Sequence, residues 1–395
     1  MRTLRVALLF DREAQFPPTF DNVKGYYVSR EIMRRGIGVS WIQLGRQDAV
    51  SRGDGILFVT LGVPTVRVAT TLLSAARILA YCLRSGVRLV YVDEWLFFRH
   101  APFRRLATEL VLRAAGISVV IDQRDPYTDF EVAEGRMREG SAEQRITALE
   151  EKAMVSLSSL LILPSQAYAR RLIEEGFPAK KIAGYFRGVD TKLFRLDVDG
   201  GATRKRLGLE GKFVVGWFGI MQPHRLIREV LVPLAKEMGS LVPMGYLVIG
   251  GKGPLKSEFA RLHKEAPESA FGYVGLVPYD ELPRYLAACD VLLCPSSTKS
   301  RFSRHSAWLK ITEALAVGRP VIATRTATAD LDFKNLRGVV WTGSSLEDFE
   351  NSIRLAFETW DVLRADAREQ ALHMYEFAVE STIPRIVDRV LETLS

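Results

Sequence analysis

Cysteine is scarce in this chain: Cys82, Cys289 and Cys294 are the only three among 395 residues. An odd count in so long a chain argues against a disulfide framework and for a reducing compartment. Histidine is nearly as rare, and His100, His224, His263, His305 and His373 are scattered without a zinc-ligand spacing, so no structural metal is expected. Long apolar runs are also missing. The longest charge-free stretch, Ala153–Ala169, has 17 residues with four serines and Pro164, too short and too polar to span a bilayer. The apolar start Met1–Phe10 carries Arg2 and Arg5 and no small-residue cleavage site, and reads as a first strand rather than a signal peptide. There is no Walker A spacing and no Gly-x-Gly-x-x-Gly, which removes the P-loop and dinucleotide fingerprints. Basic residues form no long runs, and no helix-turn-helix, zinc-finger or RNP-like motif is visible, so nucleic acid is not an expected partner.

What remains is an ordinary globular composition, 48% hydrophobic and 25% charged, with length enough for two or three domains. The net charge is +8, and six units of it fall within the first 200 residues. Such an excess suits an acidic partner, either nucleotide phosphate or an anionic bilayer.

Apolar β-rich runs alternate with helical periods throughout. Leu4–Phe10, Gly38–Leu44, Ile56–Leu61, Arg88–Val92, Ser118–Ile121 and Leu160–Leu163 read as buried parallel strands, with helices over Val23–Arg35, Val66–Leu83, Phe103–Ala115 and Ala167–Glu175. A second series follows: strands at Phe213–Phe218, Gly245–Ile249, Ala270–Val274, Val291–Cys294, Pro320–Thr324 and Gly338–Trp341, separated by helical segments. This rhythm predicts two α/β domains with doubly wound parallel sheets, and ligands at the carboxyl ends of the strands. The polar Asp197-Val-Asp-Gly-Gly201 reads as a flexible linker; the expected domains are 1–200 and 201–375, with 376–395 a C-terminal helix packing back on the first.

The strongest local feature is Ser303–Thr324. Ser303 or Ser306 can cap a helix, Gly318 can end it, and Pro320 opens a strand. Lys310 and Glu313 are three apart and share a helical face. The helix N-terminus offers amides to an anion, and a carboxylate inside such a helix can accept hydrogen bonds from ribose hydroxyls. Spacing alone equally describes a solvated Lys–Glu pair. Gly250, Gly251 and Gly253 after a strand permit close approach of a ligand or simply a tight turn. Asp125 before Pro126 reads as a turn or a site residue. Asp197 and Asp199 form a solvated loop rather than a metal motif, and Glu150 and Glu151 a polar helical face or an interface pair without chemistry.

Five segments in order, Gly188–Phe194, Gly219–Arg225, Val248–Pro254, Tyr273–Ser296 and Ser303–Thr324, resemble the retaining family-4 glycosyltransferases of the GT-B fold, as does the loop Val120–Pro126 more weakly. The resemblance implies two Rossmann-like domains facing a cleft and transfer of a sugar from a nucleotide-diphosphate sugar to a hydroxyl acceptor, a glycan or a lipid-linked molecule. It implies donor contacts from Arg225, Gly250, Gly251, Lys252, Val277, Ser306, Lys310 and Glu313, and places Arg124, Asp125 and His305 at the reacting sugar. No metal and no cofactor beyond the donor substrate is implied, and the location is cytoplasmic, at the inner face of the membrane when the acceptor is a lipid. An epimerase, a sugar-phosphate synthase or a degenerate nucleotide-sugar-binding protein on the same fold are the alternatives. The chain departs from the family pattern in three places. Ile220 stands where the family has an arginine, His305 where it often has a first glutamate, and Phe10–Pro18 where it has a glycine-rich loop.

A membrane contact is expected in the first domain. Phe103, Leu106, Ala107, Leu110, Val111 and Ala114 form one helical stripe with Arg104, Arg105 and Arg113 beside it, and Trp95-Leu-Phe-Phe98 precedes it.

Overall fold

The computed structural model describes residues 4–10, 23–63, 67–93, 104–123, 125–186, 188–265, 270–306 and 308–394. The expected loops at 11–18 and 95–98, together with Phe103 and Arg124, lie outside the described residues, as do the side chains of Arg104 and Arg105. The chain divides into two compact units: Met1–Val132 with Met137–Arg187 and Thr382–Ser395, and Gly188–Ser381 with Ala133–Arg136.

In the first unit, among the described residues, the strands are β1 (Arg5–Phe10), β2 (Gly38–Gly45), β3 (Ala49–Gly53), β4 (Ile56–Gly62), β5 (Val87–Asp93), β6 (Ser118–Asp122), β7 (Leu160–Leu163) and β8 (Ile182–Gly184). They form one sheet ordered β3-β4-β2-β1-β5-β6-β7-β8, in which the order reverses between β1 and β5. The interior strands are continuous apolar runs because helices cover both sheet faces. β1 is buried from Val6 to Phe10, and β7 at every position. The expectation of a wholly parallel sheet fails at one edge. β3 pairs antiparallel to β4, with Val50 opposite Val59. Its first four residues are exposed, so it carries no apolar signal. Asp48 fixes the turn before it, accepting from Gly62 N at 2.7 Å and pairing with Arg77.

In helix Arg104–Ala114 the apolar stripe is divided between half-buried and exposed positions. Its buried residues are Thr108, Glu109 and Leu112; Leu106, Ala107 and Val111 are half-buried, and Leu110 and Ala114 are exposed. The helix packs on helix Arg67–Ser85 and helix Ala142–Leu157, and the face it buries is rotated from the one the apolar spacing marks. At the carboxyl end of β6, Asp122 is almost fully enclosed. Lys24 Nζ lies 2.7 Å from both of its oxygens and Tyr91 donates its hydroxyl to the same carboxylate. The C-terminal stretch belongs to this unit. Ile383, Ile386, Val387 and Val390 are buried, Arg35 pairs with Asp388 at 2.6 Å, and Ser118 Oγ donates to the Thr393 carbonyl at 2.8 Å.

In the second unit the described strands are β9 (Phe213–Ile220), β10 (Gly245–Lys252), β11 (Phe271–Gly275), β12 (Val291–Cys294), β13 (Val321–Thr324) and β14 (Val339–Thr342). They form a parallel sheet ordered β11-β10-β9-β12-β13-β14, whose order reverses between β9 and β12. Trp217, Ile249, Phe259, Leu293, Ile322 and Phe349 lie in its core. The segment Asp197–Gly201 is not a flexible linker. A Cβ on Gly200 would stand 2.4 Å from the Ala287 backbone, and Asp199 accepts from Gly201 N at 2.8 Å to start helix Gly201–Arg206. The glycines let this stretch press onto helix Leu282–Ala287, which pins it.

Candidate functional site

The reversal of strand order between β9 and β12 opens a crevice at their carboxyl ends, where an open α/β sheet binds ligands. The residues that converge there come from three loops. The β9 loop supplies Gly219 and Arg225, and the segment after β12 supplies Ser296 and Ser303. The helix Leu309–Ala316 that follows supplies Lys310 and Glu313. This helix does not begin at Ser303 or Ser306 as its sequence suggests. Ser300 caps a separate short helix, Arg301–His305, accepting from Ser303 N at 3.3 Å, and Ser306 ends it by donating its hydroxyl to the Phe302 carbonyl at 2.9 Å. Trp308 takes the N-cap position of the next helix with no side-chain cap, so the first turn's amides are free of side-chain caps.

Lys310 reaches back over β9. A Cβ on Gly219 would stand 2.5 Å from Lys310 Nζ, so a side chain there would push the ammonium off the strand. Burial pulls the Lys310 amine down to about 8, with Arg225 adding repulsion and Cys294 and Glu313 opposing it. The Arg225 guanidinium carbon lies 3.8 Å from the centroid of the Trp308 ring. Glu313 is 5% exposed, and Tyr279 donates its hydroxyl to Glu313 Oε1 at 3.3 Å; Tyr279 in turn packs on Phe194. Two cations and one enclosed carboxylate thus surround the end of β9.

The glycines of β10 serve the loop beside them. Gly251 has φ +142°, and a Cβ there would lie 1.8 Å from the Gly219 carbonyl oxygen; on Gly253 it would lie 2.6 Å from Met221 N. Met221 N donates to the Lys252 carbonyl at 2.7 Å, locking the β9 loop to the end of β10, while the Lys252 side chain is exposed. Gly250 accommodates the Phe218 ring. Val277 is half-buried in the loop after β11. His305 is half-buried on its short helix, with Nδ1 3.0 Å from the Arg301 carbonyl. In the first unit Asp125 is half-buried in the turn after β6.

Sequence reasoning missed three features. His224, next to Arg225, is buried with its Nδ1 2.8 Å from Glu134 Oε1 and its ring edge-on to Phe302. Burial, reinforced by Arg225, lowers its pKa to about 4, so the ring is neutral near pH 7. No local signal links Glu134 to His224, which stands 90 positions later. Glu151 is not merely a polar face: it accepts from Gln123 Nε2, Tyr127 N and the Thr128 hydroxyl, shaping the loop after β6. Trp308 is the third. The three cysteines are free and buried, with thiols pushed up to about 12, 12 and 11, which removes them as nucleophiles. Among the described residues no group of three or more His, Cys, Asp or Glu is arranged to hold a metal ion. No helix among them is long and apolar enough to cross a membrane.

Two doubly wound units define the GT-B fold. HepE of Anabaena, in a structure with UDP and glucose, shares it at a TM-score of 0.72 with 16% identity, covering 98% of this chain and 99% of that one. Residues 213–358, within the second unit, match the family model of the glycosyl transferases group 1. The chain is 30% identical over 168 residues to a GDP-mannose-dependent α-mannosyltransferase of Mycobacterium tuberculosis (strain CDC 1551 / Oshkosh). It is 25% identical over 177 residues to the amylovoran biosynthesis glycosyltransferase AmsK of Erwinia amylovora. Each match covers 42% of this chain and 39% of the relative's length.

Proposed function

We propose that the chain is a glycosyltransferase that moves a sugar from a nucleotide-diphosphate sugar to a hydroxyl acceptor, with retention at the anomeric carbon and without a metal. The observation that carries this reading is the convergence of Arg225, Lys310 and the enclosed Glu313 at the end of β9. The group 1 match over residues 213–358 and the UDP and glucose bound by HepE support it. A departing nucleoside diphosphate gathers negative charge. Fixed cations and helix amides in a partly dehydrated site stabilise that charge more than water does. Glu313 accepts hydrogen bonds from the donor ribose, and the leaving phosphate helps take the acceptor proton on the same face.

Glu313→Gln tests the donor assignment. Losing hydrogen bonds to a charged acceptor costs about 1.5–3 kcal/mol each, which is roughly ten- to a hundredfold in affinity. Calorimetry with a panel of nucleotide sugars should show that loss at unchanged melting temperature; unchanged affinity rejects the assignment. Transfer requires an added acceptor, whereas an epimerase forms product from the donor alone.

Metal independence has its own test. Turnover should survive EDTA, because Arg225, Lys310 and the helix amides neutralise the leaving group. Loss of turnover in EDTA that manganese or magnesium restores would overturn this.

The acceptor we propose is lipid-linked, reached from an anionic membrane surface. Leu72, Leu83 and Leu110 are 70%, 56% and 47% exposed on two helices that pack together. Basic residues near an anionic surface add about 1 kcal/mol each. The protein should float with phosphatidylglycerol vesicles at low salt and detach as salt rises. Leu72→Ser/Leu110→Ser should stay with the unbound fraction. A wild type that ignores these vesicles favours a soluble acceptor.

A further inference from the structure

Trp308 is 5% exposed and stands one residue ahead of the helix that carries Lys310 and Glu313. Two observations distinguish it from a packing aromatic. Its ring lies flat enough under Arg225 to bring the guanidinium carbon within 3.8 Å of the centroid, the close range of a cation–π contact. Its indole Nε1 is buried and has no acceptor among the described residues, although buried tryptophan N–H groups ordinarily find one. The hydroxyls of Ser296 and Ser303, in the segment leading to Trp308, are enclosed and also lack a partner among the described residues. Three buried hydrogen-bond donors without acceptors, beside two cations, call for a multi-oxygen anion.

The backbone around Arg225 is built to hold one direction. Leu226 is buried in the left-handed region at φ 54°, ψ 39°, rare for a leucine, and a π-helical turn, Ile227–Leu231, follows it. Such turns gather at functional positions because they cost stability elsewhere.

We infer that Trp308 positions Arg225 and binds the donor diphosphate. Its ring face holds the guanidinium, and its Nε1–H donates to a neighbouring oxygen of the same diphosphate. This rests on the nucleotide-sugar reading above. A guanidinium stacked through its face on a ring is held in one plane, and its N–H edge is the part that meets phosphate oxygens bidentately. Without the ring, Arg225 samples many rotamers and meets the diphosphate less often.

Calorimetry with inorganic diphosphate and with ADP, GDP and UDP tests this on the full chain. Trp308→Phe keeps a ring under Arg225 and loses the N–H; its affinity should fall about tenfold. Trp308→Leu loses both and should fall about a hundredfold. In an Arg225→Gln background, Trp308→Leu should cost no more than Trp308→Phe, because the stacking part acts only through Arg225. Melting temperatures are recorded alongside. If Trp308→Leu does not fold, the pair Trp308→Phe and Arg225→Gln/Trp308→Phe carries the test through the tenfold loss in both backgrounds. Wild-type affinity in Trp308→Phe overturns the N–H contact. Equal losses from Trp308→Leu with and without Arg225 overturn the positioning role. A wild type that binds none of the four probes overturns the nucleotide-sugar reading and this inference together, whereas a wild type that binds while the Trp308 variants match it overturns this inference alone.

Discussion

Lys24→Ala is expected to destabilise the first unit by about 3–5 kcal/mol, because it leaves Asp122 as an enclosed carboxylate with its cation removed. The pair is nearly dry: the side chains of Lys24 and Asp122 are 4% and 1% exposed, and the hydroxyl of Tyr91 completes the shell. Denaturant unfolding followed by far-UV circular dichroism should show the first unit melting earlier while the second keeps its midpoint. The double variant Lys24→Met/Asp122→Leu should recover most of the loss, since two apolar side chains need no mutual neutralisation. A change below about 1 kcal/mol in Lys24→Ala would mean that water reaches Asp122 after all.

Donor diphosphate binding should weaken as pH rises through about 8. The Lys310 amine, held down to about 8 by burial, gives up its proton there and with it the attraction for phosphate. Affinity should then fall by up to about tenfold per pH unit, since binding takes up the proton that the free protein lacks. The ligand-free protein should move the other way. Below pH 8 folding must bury a charged amine. Between about 8 and the ordinary value of 10.5 the folded amine is neutral while the unfolded one still holds its proton, so stability rises with pH. Lys310→Met should cost about ten- to a hundredfold in affinity at pH 7 and flatten both profiles. Lys310→Arg should flatten them while keeping affinity. Binding that is level from pH 7 to 9.5 in the wild type would remove Lys310 from the diphosphate site.

The strands of both sheets were legible because a parallel strand covered on both faces must be apolar throughout. Leu160–Leu163 and Val291–Cys294 were read to the residue. β3 was not legible: an exposed antiparallel edge needs no apolar face, and Ala-Val-Ser-Arg-Gly shows no apolar alternation. β8, three residues long, is too short to show a period. Within the site, Lys310 and Glu313 could be paired from their spacing because a helix keeps neighbours in sequence close in space. Arg225 on Trp308 and Glu134 on His224 could not, because chain topology alone brings those residues together. The polar, glycine-rich look of Asp197–Gly201 misled for a related reason. Glycine marks flexibility and close contact with the same letter, and only the helix pressed against Gly200 decides between them.

The C-terminal stretch Thr382–Ser395 belongs to the first unit, although the whole of Gly188–Ser381 lies between it and the rest of that unit. Translation therefore runs against the order of assembly. The second unit is continuous apart from the four residues Ala133–Arg136, all of which have been made by the time its own body emerges. The first unit waits on the second: the places that Ile386, Val387 and Val390 fill, and the partner that Arg35 finds in Asp388, arrive only after Gly188–Ser381 has been made. A released chain truncated after Ser381 should therefore expose the first unit to protease while the second resists.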